Sequence, residues 1–179
     1  MNVKAAIDKR RSCRAYKADP VSREQVEQVI EAGRRAPSAC NKQPWRFAVV
    51  TDAERRRTIV DRGFRKGISM AWAADAPVLI VLGMKRSPVV HRAMPLLTRV
   101  DYPWIDIGIA GEHMVLQAVE LGLGTCWIGW IHSRRLRSIV AWPGSVRPAA
   151  VLTLGWPADD DAPPPPTPRK DAAELVTWI

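Results

Sequence analysis

The sequence predicts an α+β fold, an α/β sandwich with a central sheet flanked by helices. Three observations carry that expectation. The apolar runs VLIVLG (78–83) and AAVLTLG (149–155) are continuous rather than alternating, as in strands covered on both faces. Amphipathic helical patterns are interleaved with them, which argues for layers around one small sheet. From Ile105 to Leu121 the chain is apolar nearly all round, the mark of a buried central helix.

The elements follow in order. Residues 2–9 form a short opening helix that ends at an arginine cluster. Ser22 and Gln25 stand at capping-box spacing, and Val26, Val29 and Ile30 recur on one helical face up to about Arg35. Ala36-Pro37 stops that helix, because the residue before proline is pushed out of helical geometry. After the loop SACNKQ comes a strand, FAVV at 47–50. Thr51 and Glu54 repeat the capping spacing ahead of a basic helix that Gly63 ends. A weakly amphipathic helix near 66–74 precedes the strand at 78–83. Residues 84–103 hold three prolines and no clean period, and read as a long loop, a candidate lid. GLGT turns the buried helix into a strand, TCWIGW, and Ser133 caps the short basic helix SRRLRSIV. The domain spans 1–157, and 158–179 is a proline-rich linker plus a tail whose last amphipathic turn, DAAELVTWI, either frays or packs on a neighbouring subunit.

At 179 residues, 47% of them hydrophobic, the chain can bury one ordinary core. Lys and Arg number 27 against 18 Asp and Glu, for a net charge of +9 that favours anionic partners. The charges are spread over several regions, which argues against a dedicated nucleic-acid arm. Cys13, Cys40 and Cys126 make an odd count without metal spacing, so neither a disulfide framework nor a zinc site is expected, and a reducing cytoplasm fits. No apolar run is long enough to span a bilayer, and the N-terminus has no signal-peptide pattern.

Three stretches carry candidate chemistry. In RRSCRAY, alternation along an extended chain puts Arg10, Ser12 and Arg14 on one side, with Arg11 and Cys13 elsewhere. Guanidinium forks beside a small hydroxyl suit the oxygens of a phosphate; the same cluster could also simply solvate a surface. In APSACNKQPW, two prolines stiffen a loop whose Ser38, Asn41 and Gln43 could read the edge of a flat heteroaromatic ring, or could satisfy their own backbone. In LGLGTCWIG, Gly129 stands inside a strand, where glycine often marks the close approach of something flat. His91, His113 and His132 show no ligand spacing, and His113 reads as a core residue. Nucleophile-elbow, Walker and dinucleotide-binding glycine motifs are missing.

In this order, RRSCRAY, APSACNKQPWRF, DIGIAGEHMVLQAVELGLGTCWIG and LGWP ahead of Arg169-Lys170 resemble the nitroreductase family of FMN-dependent oxidoreductases. The resemblance spans nearly the whole chain and implies an intertwined homodimer with a site at each interface. It implies FMN as cofactor and NAD(P)H (NADH or NADPH) as electron donor. By position, Arg10 and Ser12 would hold the phosphate and ribityl chain with Arg11 at the same end, and Arg14 would bring charge to the pyrimidine side of the ring. Pro37, Ser38 and Ala39 would reach the flavin of the other subunit, and Ile128 and Gly129 would lie against it near N5. Arg169 would return to the phosphate from the tail, while Thr167 stands where some members carry lysine. No residue offers itself as a general acid; the resemblance implies that the hydride passes through flavin N5 and that protons can come from water. The implied reaction is ping-pong hydride transfer to a nitroaromatic, quinone or activated alkene. Reductive dehalogenation and non-catalytic flavin storage are the alternatives.

Overall fold

The computed structural model describes residues 1–85, 99–158 and 167–179. Most of the expected 84–103 loop, His91 and the proline run lie outside these residues. Helix α1 (Val3–Lys9) is capped by the Asn2 side chain, and α2 (Arg23–Arg34) by the expected Ser22–Gln25 box. Strand β1 (Trp45–Val50) leads to α3 (Ala53–Thr58) and one π turn that closes at Gly63. Then come β2 (Val78–Lys85), the long helix α4 (Tyr102–Glu120), β3 (Gly124–Ile128), α5 (Ser133–Ile139) and β4 (Val146–Gly155). Helix α6 (Ala172–Leu175) sits in the tail.

The strands form one antiparallel sheet in the order β1-β2-β4-β3. Strand β2 is buried from Val78 to Met84 because both of its faces are covered. Val78, Ile80, Leu82 and Met84 point to one core with Val29, Ala110 and Met114. Leu79 and Val81 point to the other, with Ile59, Leu136 and Val151. The period-2 geometry of a strand divides a continuous apolar run between two cores, and that is the sandwich expected from the sequence.

Several local expectations are corrected. Asp52, not Thr51, caps α3: its carboxylate accepts from Arg55 N at 2.9 Å, and an acid at a helix N-terminus also meets the backbone dipole. The helix near 66–74 shrinks to a 3-10 turn over Ala71–Ala74, because Gly67 takes φ +104° and breaks any helix before it. Ser133 is the first helical residue rather than the cap, and its hydroxyl donates to Pro148 O at 3.0 Å, tying α5 to β4. Strand β3 ends at Ile128, so Gly129 lies just beyond it. Helix α4 is buried along one stripe only; Trp104 and Ile105 are exposed and His113 is half-buried. Among the described residues no helix is long and apolar enough to cross a membrane.

Candidate functional site

The arginine segment lies alongside β3. Ser12 pairs in parallel with Thr125, and Cys13 N donates to Thr125 O at 2.8 Å. That pairing buries Cys13 and leaves Ser12 and Arg14 exposed, the alternation expected from extended backbone. Tyr16 locks the end of the segment: its hydroxyl donates to Cys13 O at 2.7 Å and is hydrogen-bonded to Thr153. Thr153 Oγ1 in turn accepts from Cys126 N at 2.9 Å. Burial pushes the Tyr16 phenol far above its ordinary range. Burial also raises the Cys126 thiol, against the opposing pull of the Arg14 charge and a hydrogen bond with Ser12. Ser12 and Arg14 are thus held on the exposed side of a segment that is fixed to β3. Arg10, half-buried, lies 3.7 Å from Glu112 Oε1 on α4, and Arg11 is half-buried beside it.

The second motif is a compact loop with unusual backbone. Cys40, Asn41 and Gln43 sit at φ 49°, 51° and 47°, the left-handed region that non-glycine residues seldom occupy. Side chains hold it there. Gln43 N donates to Ser38 Oγ at 2.9 Å, and Gln43 Nε2 donates to Asn41 O at 3.2 Å and Asn41 Oδ1 at 3.1 Å. Ala39 N donates to the buried Asp106 carboxylate on α4 at 3.0 Å. The Ser38 hydroxyl proton and the Asn41 amide NH2 are not used by these bonds and can be offered to a ligand. Pro37 and Asn41 are exposed, while Ser38 and Ala39 are half-buried.

The third motif is divided by burial. The Ile128 side chain belongs to the second core at 3% exposure, so only its main chain can meet a ligand. Gly129 is exposed, and a Cβ there would meet nothing within 4 Å. The neighbours on this side were not singled out from the sequence. Arg65 N donates to Trp130 O at 2.9 Å, Arg65 Nε donates to Ile131 O at 3.0 Å, and its guanidinium lies 5.7 Å from the Trp130 ring centre. His132 is held below its ordinary range by desolvation first, then by the charges of Arg135 and Arg65.

Helix α4 is the ruler that relates the three motifs. Asp106 holds the loop and Glu112 faces Arg10, while Gly111 lets Trp127 approach so closely that a Cβ would stand 2.1 Å from the ring. Asp106 is legible only in retrospect: it falls on the buried stripe Pro103, Asp106, Ile107, Ala110, Met114, an acid where the pattern calls for an apolar side chain. Arg169 is not brought to the other arginines by these bonds. Its guanidinium donates to Thr167 O and Pro168 O, each at 3.2 Å, and residues 167–179 are all exposed. No cluster of His, Cys, Asp and Glu among the described residues could hold a metal ion.

A model of the Nitroreductase family matches residues 7–66 and 63–156. The NADH dehydrogenase of Thermus thermophilus is 28% identical, over 99% of this chain and 96% of that protein. The FMN reductase [NAD(P)H] of Bacillus subtilis is 30% identical, over 94% of this chain and 71% of that protein. Among solved structures, the NADPH:FMN oxidoreductase of Vibrio harveyi complexed with NAD+ superposes with a TM-score of 0.83 at 25% identity, covering 98% of this chain and 76% of that one. With its sheet, its long central helix and the three motifs in register with that match, this chain belongs to the nitroreductase family.

Proposed function

We propose that the protein is a homodimeric FMN-dependent oxidoreductase that takes electrons from NADH or NADPH and passes them to a nitroaromatic, quinone or activated alkene. The carrying observation is that the exposed Ser12 and Arg14 are fixed against β3, the strand that ends at Ile128 just before the open position Gly129. The donor set suits the cofactor. Arg10, Arg11 and Ser12 offer cations and a hydroxyl to a phosphate, and Arg14 offers charge to the pyrimidine side of a flavin. The Ile128 main chain and Gly129 offer a flat surface where no side chain intrudes. FMN, when bound, supplies hydride transfer through N5.

The remaining roles belong to the chain. The Pro37–Asn41 loop reads the ring edge of the flavin bound to a second copy, with the Ser38 hydroxyl and the Asn41 amide as donors. The tail crosses to a second copy, where Arg169 adds a cation to the phosphate; the exposure of every residue from 167 to 179 in the protomer supports that role. Relatives named FMN reductase [NAD(P)H] and NADPH:FMN oxidoreductase support cofactor and donor alike. A reducing cytoplasm suits three free cysteines.

An absorption spectrum of the purified protein, repeated after anaerobic NADH or NADPH, tests the reading. Flavin bands that bleach on addition are expected. Flavin that stays oxidised with both donors points to storage, and a protein that cannot be loaded with FMN overturns the assignment. Turnover with nitroarenes set against halophenols then separates nitroreduction from dehalogenation.

A further inference from the structure

We infer that Asp106 is the positioning residue of the flavin-reading loop: its buried carboxylate, by accepting the Ala39 N–H, aims Ser38 and Asn41 at the ring. The inference rests on the FMN reading above and assigns a role to a residue that touches neither cofactor nor substrate.

The loop needs an outside hold. Left-handed backbone at Cys40, Asn41 and Gln43 stores strain, which persists only where the surroundings over-determine it. The bonds inside the loop, Gln43 N to Ser38 Oγ and Asn41 N to Ser38 O, fix its shape but not its direction. Its two ends are tied to the body through Ala36 N to Gly33 O in α2 and Lys85 N in β2 to Pro44 O. Between those ends, the Asp106 bond fixes the apex relative to α4. Ala39 opens the 3-10 turn that carries Cys40 and Asn41, so anchoring its N–H orients the turn as a unit.

The choice of residue argues in the same direction. At 2% exposure, Asp106 shares a helical stripe with Ile107, Ala110 and Met114, where an apolar side chain would pack at lower desolvation cost. An acceptor oxygen at this position meets the Ala39 N–H directly, which no apolar side chain on the stripe could do. The same helix sets Glu112 beside Arg10 and Gly111 beneath Trp127. Asp106 thereby ties the position of the loop to the helix that also positions the other two motifs.

The test is a double-mutant cycle on FMN affinity in the full chain, using Asp106→Ala and Ala39→Pro, with Asp106→Asn as the conservative variant. Proline is tolerated at the first position of a helical turn and removes the donor from the other side of the same bond. Asp106→Ala should raise the FMN dissociation constant about 10- to 100-fold, the range for leaving a buried donor unmet. Asp106→Asn, which keeps an acceptor oxygen, should stay within about threefold, and the double variant should be little worse than the poorer single one. Additive losses, or an Asn variant as weak as the Ala variant, overturn the inference. Amide exchange over residues 37–43 in flavin-free protein reads the anchor without the cofactor: it should speed up in Asp106→Ala and not in Asp106→Asn. Unchanged exchange overturns the anchor, and faster exchange with unchanged FMN affinity overturns the positioning role. Wild-type protein that binds no FMN, with exchange behaving as expected, leaves the anchor standing and removes the function proposed for it.

Discussion

Two segments carry candidate phosphate arginines, and they are built in opposite ways. Residues 10–16 lie against β3, with Cys13 buried, Tyr16 bonded to Cys13 O and Arg10 facing Glu112. Residues 167–179 have good local order, including a capping box between Asp171 and Glu174, yet bury nothing: Trp178 is 92% exposed. Local propensity is therefore present in both, and only the first has a surface to lie on. On the proposed reading, one side of the anion grip is organised when the protomer folds and the other only when two protomers meet.

The largest expected effect strikes the organised half. Gly111→Ala would drive a Cβ into the Trp127 ring and force that ring off α4, costing about 2–3 kcal/mol and roughly 5–10 °C in melting temperature. Gly129→Ala, with open space around it, should leave the melting temperature unchanged and weaken FMN binding instead. Equal melting temperatures for all three proteins would mean that the Gly111 crossing is not tight.

A smaller effect separates the arginines. Arg10→Ala should weaken FMN binding by about 1.5–3 kcal/mol, as for a hydrogen bond to a charged group, with the fold intact. Arg169→Ala should cost less, because an exposed tail must first be ordered. Removing residues 167–179 should lower both FMN affinity and the dimer fraction on a sizing column while circular dichroism is unchanged. A tail deletion that binds FMN as tightly as the full chain would erase the contrast.

The smallest effect tests the lock. Tyr16→Phe gives up the bond to Cys13 O and should cost about 1 kcal/mol. Because burial raises the native phenol, the unfolded chain ionises first as pH climbs above about 10, and stability falls from there upward. The Phe variant should show a shallower alkaline decline in denaturant titrations; an identical decline would assign it to other groups.

Legibility in the sequence followed the range of the interactions. The sandwich was readable because VLIVLG and AAVLTLG record burial on two faces, and α2 because Ser22 and Gln25 are near neighbours. The 66–74 segment misled because its weak periodicity said nothing of the backbone that Gly67 adopts. The capping assignments at Thr51 and Ser133 failed where a neighbouring acid or a distant carbonyl competed for the same role. The alternation at residues 12–14 was readable, whereas the pairing of Ser12 with Thr125 spans more than a hundred residues and left no local trace. The same holds for Asp106 and Arg65, whose partners are remote in the chain.

The pairing of Ser12 with Thr125 has a second consequence, for solubility. In the order β1-β2-β4-β3, β3 is an outer strand, and its sequence GTCWI is the kind of apolar edge along which chains recruit one another into aggregates. Residues 12 and 13 occupy part of that edge with a parallel pairing of their own, and Ser12 and Arg14 on either side of the buried Cys13 are exposed. The segment proposed to hold the cofactor is thus also a guard on the sheet, and a chain that loosens it uncovers a template for self-association.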